Sequence, residues 1–201
     1  VGYGFQARWI CAVSKTVVHE IDVVSMKYTL EHSKRHTDIC EHLVTLHSLI
    51  VELNAQTVIE LGVRDGESTV ALLEGVHATG GQLVSVDIMP CMEAREMIEK
   101  YGLSSKWTFL QGDDVEFGRN WDRSRPIDLV FIDTDHEYDH TKKEIEIFEP
   151  LVRAGGILVF HDTVTFCWPV YGPIEVFLKD RPTYHFMSYQ NCNGLGVLRK
   201  P

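Results

Sequence analysis

No stretch of the 201-residue chain approaches the roughly 20 apolar residues that a membrane-spanning helix needs. Basic residues are scarce: 19 Lys and Arg stand against 29 Asp and Glu, a formal net charge of −10. That balance excludes no single site, but it argues against nucleic acid and against an anionic membrane as partners, since both need a basic face. The five cysteines, at positions 11, 40, 91, 167 and 192, contain no C-x-x-C pair. An odd, scattered set reads as reduced thiols and sets the expectation of a cytoplasmic protein. The first residues show no basic–apolar–small leader, so no signal peptide is visible. Internal repeats and low-complexity tracts are missing. So is G-x-x-x-x-G-K-[ST], which removes the usual nucleoside-triphosphate cradle.

What remains is an ordinary globular composition, 44% hydrophobic and 24% charged. A chain of this length buries enough surface to hold one larger domain without staples.

The organising stretch is TVIELGVRDGESTVALL, residues 57–73. Thr57, Val58, Ile59 and Leu61 read as a strand covered on both faces. Gly62 and Gly66 bracket a turn in which a missing Cβ allows a sharp bend or a close approach to a ligand. Ser68 and Thr69 lead into a helical turn. A strand, a glycine turn and a helix N-terminus in succession form a nucleotide-cofactor cradle.

Before it, Asp38–Leu53 reads as a helix. Asp38 and Glu41 make a capping box, Ile39, Leu43, Leu46, Ile50 and Leu53 form one apolar stripe, and Asn54 terminates it. Residues 1–36 are less legible. Trp9, Ile10, Val13, Val17 and Val18 space as a short helix, and Met26, Tyr28 and Leu30 alternate weakly. His32 and His36 share a helical face if that segment is helical, but no third ligand lies nearby, and a solvated polar segment is the favoured reading.

After the turn, strands alternate with helices. Residues 82–88 form a strand with Asp87 near its end, 21 positions beyond Gly66. An acidic residue at that spacing suits a ribose diol. Trp107–Leu110 is a strand followed by Gly112-Asp113-Asp114. Asp128–Ile132 is a strand ending in Asp133, and Ile157–Phe160 one ending in His161-Asp162-Thr163. Helices are expected over 93–101, 142–151 and 172–179, and a closing antiparallel pair over 184–189 and 194–199. The fold class is therefore α/β: a Rossmann-like, doubly wound, mostly parallel sheet with N-terminal helices and a C-terminal antiparallel hairpin.

The ordered set ELGVRDGEST, VDI, QGDD, DLVFIDTDHEYD and LVRAGGILVFHDT resembles class I S-adenosylmethionine-dependent methyltransferases over about residues 38–200. It is most similar to the metal-dependent small-molecule O-methyltransferases: the catechol type, and the branch of macrolide-sugar O-methyltransferases and cephalosporin-hydroxylase-like proteins. The resemblance divides the chain into a lid or interface segment, 1–37, and a methyltransferase domain, 38–201. It implies S-adenosylmethionine as cofactor, with Glu60, Gly62 and Gly66 at its methionine part, Ser68 donating to its carboxylate, Asp87 on the ribose and Asp113 at the adenine amino group. Arg64 replaces the family's usual middle glycine; it either contacts the cofactor carboxylate or lies in solvent.

The resemblance further implies a divalent cation, Mg²⁺ by preference for oxygen ligands, on Asp133 and Asp162, with Asp133 also bordering the cofactor. His161 or Thr163 would stand beside them. Both depart from the family's residues there, and a bound His161 would favour Mn²⁺, Fe²⁺ or Zn²⁺. His136 corresponds to the catalytic base; His140 is a weaker candidate for that role. Phe166, Trp168 and Tyr171 either wall the acceptor or pack beneath the hairpin. The implied activity is O-methylation of a hydroxyl on a small natural product, a sugar or a phenol, with no nucleic-acid or membrane partner and a homodimer as the default assembly. The same cradle would also serve a metal-dependent hydroxylase-like enzyme or a non-catalytic binder of an adenosyl ligand. A nicotinamide dehydrogenase shares the cradle but has no use for the acidic rim.

Overall fold

The computed structural model describes residues 26–201; the helix expected around residues 9–18 lies outside them. Seven strands form one sheet: β1 Thr57–Leu61, β2 Gln82–Asp87, β3 Trp107–Gln111, β4 Ile127–Ile132, β5 Val152–His161, β6 His185–Tyr189 and β7 Leu195–Arg199. Their order is β3-β2-β1-β4-β5-β7-β6. The first five run parallel, whereas β7 pairs antiparallel with both β5 and β6.

The helices are α1 Lys27–His32, α2 Leu43–Leu53, α3 Glu67–Thr79, α4 Met92–Tyr101, α5 Asp114–Arg119, α6 Tyr138–Phe148 and α7 Gly172–Leu178. They cover both faces of the sheet. The side-chain alternation of the strands divides the core accordingly. Val58, Leu129 and Phe131 pack with α2 and α3 residues such as Leu46, Ile50 and Leu73. Ile59, Val130 and Ile132 face the opposite layer, with Ile145 and Phe148 of α6. Every residue of β4 is buried, and full burial of each large apolar side chain is worth about 1.5–3 kcal/mol.

The chain runs β1–β2–β3 towards one edge and resumes at β4 on the other side of β1. This reversal leaves a crevice beyond the carboxyl ends of β1 and β4, where open α/β sheets bind ligands. Leu61 pairs with both Val86 and Ile132. The residues that follow, Gly62, Asp87 and Asp133, therefore stand at one level along that edge.

Several boundaries differ from expectation. The helix predicted from Asp38 begins at Leu43, after a 3-10 turn at Cys40–His42. Asp38 does not cap it, because its carboxylate is taken by Arg64. Asn54 does end the helix, in the left-handed conformation. The helix expected from Lys142 starts at Tyr138, and the strand expected from Ile157 starts at Val152. The weak alternation around Tyr28 is helical instead. The Glu74 carboxylate accepts the backbone N–H groups of Tyr28 and Thr29 and caps α1 from outside it. His32 is buried rather than solvated, its ring lying 2.9 Å from Glu67 and 3.0 Å from the Tyr101 hydroxyl. Since α1 ends there, His32 and His36 share no helical face.

Candidate functional site

The turn after β1 is shaped by its neighbours. Gly62 adopts φ +85°, and a Cβ on it would lie 1.9 Å from the carbonyl oxygen of Asp133. A residue with a side chain fits neither requirement. Arg64 also takes a positive φ, 48°. Its guanidinium grips Asp38 with two bonds of 2.9 and 3.0 Å. Of the two fates open to Arg64, neither is the whole: the side chain is largely exposed, yet paired, and the pair holds Asp38 below the usual carboxylate range. Asp38 was missed as a site residue because its partner lies 26 positions away.

Glu60 and Ser68 meet each other. Ser68 Oγ donates to Glu60 at 2.7 Å, with Thr69 and Ser85 as further donors. Glu60 is fully buried and lines neither cavity described below. Burial pushes its carboxyl up to about 7 against the pull of three hydroxyls. It thus ties β1, β2 and α3 together through these hydroxyls.

Asp87 sits at the crevice with much of its capacity used. Its Oδ2 accepts the N–H groups of Val63 (2.8 Å) and Arg64 (3.1 Å), and Oδ1 that of Met89 (2.8 Å). Burial opposes ionisation there, but the three amides outweigh it and keep the carboxyl below its ordinary value. A carboxylate offers about four acceptor positions; three are used by the amides and the Cys91 thiol approaches as well, so at most one remains for a ligand. Asp113 is the N-cap of α5, Oδ1 accepting from Glu116 N–H at 2.6 Å.

Two cavities open along this edge. The larger, ≈ 860 Å³, runs from the Gly62–Asp65 turn past Asp87 to Asp113 and His140. That size is within the range of small-ligand pockets. Its wall includes Ile88, Met89 and Cys91, an apolar run directly after Asp87 that sequence reading passed over. The smaller, ≈ 190 Å³, is bounded by Asp38, Ser68, His136, Asp162, Phe166 and other residues. Gly62, Val63, Arg64, Asp65, Asp133 and Thr134 line both.

At the smaller cavity, Asp133, His136 and Asp162 bring their ligating atoms within 4.8 Å of one another. His136 Nε2 lies 2.9 Å from Asp162 and 3.8 Å from Asp133. His161 Nδ1 lies 3.2 Å from Asp162 and 3.4 Å from Asp133, while its Nε2 meets the carbonyls of Asp38 and Cys192. Burial disfavours the His161 cation, yet the two carboxylates lift it to about 10. His136 is raised as well, chiefly by Asp133. Asp133 is desolvated, but the two imidazoles hold it well below the carboxylate range. Asp162 occupies the left-handed region, φ 59°, a conformation that non-glycine residues keep mainly where the surroundings impose it.

The structure therefore groups Asp133, Asp162, His136 and His161. Thr163 is buried with its Oγ1 near Gly194. Of the expected aromatic wall, Phe166 lines the smaller cavity and stacks on the His136 ring, centroids 4.1 Å apart. Trp168 stacks on Tyr138, and Tyr171 packs against Phe186 of the terminal hairpin.

Residues 59–163 match the family described as a methyltransferase domain. Catechol O-methyltransferase B of Danio rerio is 26% identical over 183 residues, 85% of this chain and 65% of that protein. O-methyltransferase ankF of Aspergillus thermomutatus is 25% identical over 118 residues, 58% of this chain and 49% of that protein. The chain thus spans 65% and 49% of the lengths of these two relatives. The solved O-methyltransferase from Bacillus cereus in complex with SAH is similar at a TM-score of 0.67 and 18% identity, over 92% of this chain and 94% of that one. At that identity the likeness is one of fold.

Proposed function

The chain belongs to the methyltransferase-domain family, and from that premise we propose that it transfers a methyl group from S-adenosylmethionine to a hydroxyl of a small natural product, a phenol or a sugar, with a divalent cation at the acceptor. One observation carries the reading: a ligand-sized cavity and a small cavity lined by two carboxylates and the His136 imidazole, with His161 behind the carboxylates, share one wall, Gly62–Asp65 with Asp133 and Thr134. A donor and an acceptor held on the two sides of that wall meet at Asp133. Holding two reactants in register accounts for much of the acceleration available to such a transfer.

The residues suit the cofactor. Asp87 keeps at most one acceptor position for a ribose hydroxyl, Asp113 borders the same cavity, and the first turn of α3, which has no side-chain cap, opens on the adjoining smaller cavity through Glu67 and Ser68, where its N–H groups suit a carboxylate. Bound there, S-adenosylmethionine supplies a sulfonium methyl open to in-line displacement by oxygen.

The residues also suit a cation. His161 Nδ1 faces the Asp133 and Asp162 carboxylates, and Asp162 Oδ1 is buried without a hydrogen-bond partner; with Asp133 they make the mixed nitrogen and oxygen donor set of a first-row divalent ion. Such an ion lowers the pKa of a hydroxyl. His136, held flat against Phe166, is the group that accepts the hydroxyl proton.

Calorimetric titration with S-adenosylmethionine, followed by transfer assays on panels of phenols and sugars with and without Mg²⁺, tests the proposal. It expects saturable binding and cation-dependent transfer. No binding at millimolar cofactor overturns it; transfer unchanged by chelation removes the cation from it.

A further inference from the structure

We propose that Asp114, His140 and Glu144 form a second divalent-cation site, opening on the larger cavity and separate from the Asp133 cluster. Asp114 is the first residue of α5, and His140 and Glu144 lie one turn apart on α6, facing it. His140 Nε2 stands 3.0 Å from Asp114 Oδ2 and 3.7 Å from Glu144 Oε1, and the three ligating atoms fall within 4.8 Å of one another. Donors bound to one ion at about 2.1 Å in neighbouring positions are about 3.0–3.5 Å apart. The observed spacing is close to that of a loaded site.

A second observation points to a ligand. Glu144 is fully buried, and while its Oε1 accepts from Thr134 at 2.6 Å, its Oε2 has no hydrogen-bond donor. A buried carboxylate oxygen without a donor is costly. Among the described residues no Lys or Arg pairs with Asp114 or Glu144; His140 is their partner. Two carboxylates facing one imidazole need a proton or a cation between them.

The site is reachable, since Asp114 and His140 both line the larger cavity. One imidazole and two carboxylates favour Mn²⁺ or Zn²⁺ over Mg²⁺. Asp114 and His140 border the cavity assigned above to the cofactor, but none of the three residues is given a contact with donor or acceptor there, so the site stands whether or not that reading holds. Bound there, the ion would link α5 to α6 at the cavity wall.

Mn²⁺ is the probe. The metal-stripped full chain is titrated with Mn²⁺, and the free-ion electron paramagnetic resonance signal gives the number bound. Asp162→Asn disables the acceptor-side cluster. In that background one Mn²⁺ per chain is expected, and adding either His140→Gln or Asp114→Asn is expected to abolish it. No Mn²⁺ bound by Asp162→Asn overturns the proposal, as does binding that both added substitutions leave intact. If instead the wild type and Asp162→Asn bind the same single ion, sensitive to His140→Gln, the acceptor-side cation fails and this site stands.

Discussion

The missing Cβ of Gly62 would sit 1.9 Å from the carbonyl oxygen of Asp133. The turn after β1 and the loop after β4 are thus in backbone contact, and the two cavities meet where they touch. Gly62→Ala is predicted to clash with main chain that has no flexible end to give way, and to hold alanine at φ +85°. The expected loss is about 3 kcal/mol or more of stability in urea unfolding. Gly112→Ala, with nothing within 4 Å of its would-be Cβ, is the control and should stay within about 0.5 kcal/mol.

Glu60 predicts a pH dependence of stability. Its folded-state value is raised from 4.5 to about 7. For a raised group the folded state binds the proton more tightly. The contribution is then complete below the unfolded value and is lost as pH rises through the folded one. The stability of wild type relative to Glu60→Gln should therefore fall between pH 4.5 and about 7, by about 1.4 kcal/mol per unit at most. Paired unfolding curves across that window check it; a difference that does not change with pH would remove Glu60 as a titrating buried acid.

His136→Ala should separate chemistry from binding. As the residue that takes the hydroxyl proton, its loss should lower kcat by about 10²- to 10⁴-fold and leave S-adenosylmethionine affinity unchanged. Equal losses in both would make it a structural partner of Phe166 and Asp162.

Chelation should act in the same direction. Stripping divalent ions should abolish transfer and spare cofactor binding, and Asp133→Asn should do likewise. With His136 and His161 beside the carboxylates, Mn²⁺ should restore transfer at least as well as Mg²⁺.

The sheet was legible because its signals are local. Short apolar runs ending in Asp87, Asp133 and Asp162 place the strand tips from neighbouring residues alone. The cluster at the smaller cavity was also nameable, with Asp133, His136 and Asp162 following a strand and His161 ending one. The partners of the charged side chains were not legible, because they depend on chain segments brought together from afar. Asp38 reads as a helix cap until Arg64 takes it. Glu60 shows nothing in the sequence of the Ser68, Thr69 and Ser85 hydroxyls that surround it. His32 reads as solvated until α1 packs it against Glu67 and Tyr101. Asp114 and His140 fall 26 positions apart in no recognisable spacing, and meet only when α5 packs on α6.

The most direct test of the account is the affinity for S-adenosylmethionine of wild type and Asp87→Asn. The near-isosteric change removes the charge that would hold the ribose and also one of the two oxygens that accept from Val63, Arg64 and Met89, so urea unfolding of both proteins is measured beside the affinity. The account predicts one cofactor bound per chain by wild type and binding weaker by about 10- to 100-fold in the variant, the worth of a hydrogen bond to a charged group. Equal affinity in the two proteins, or no binding by wild type at millimolar cofactor, would contradict it.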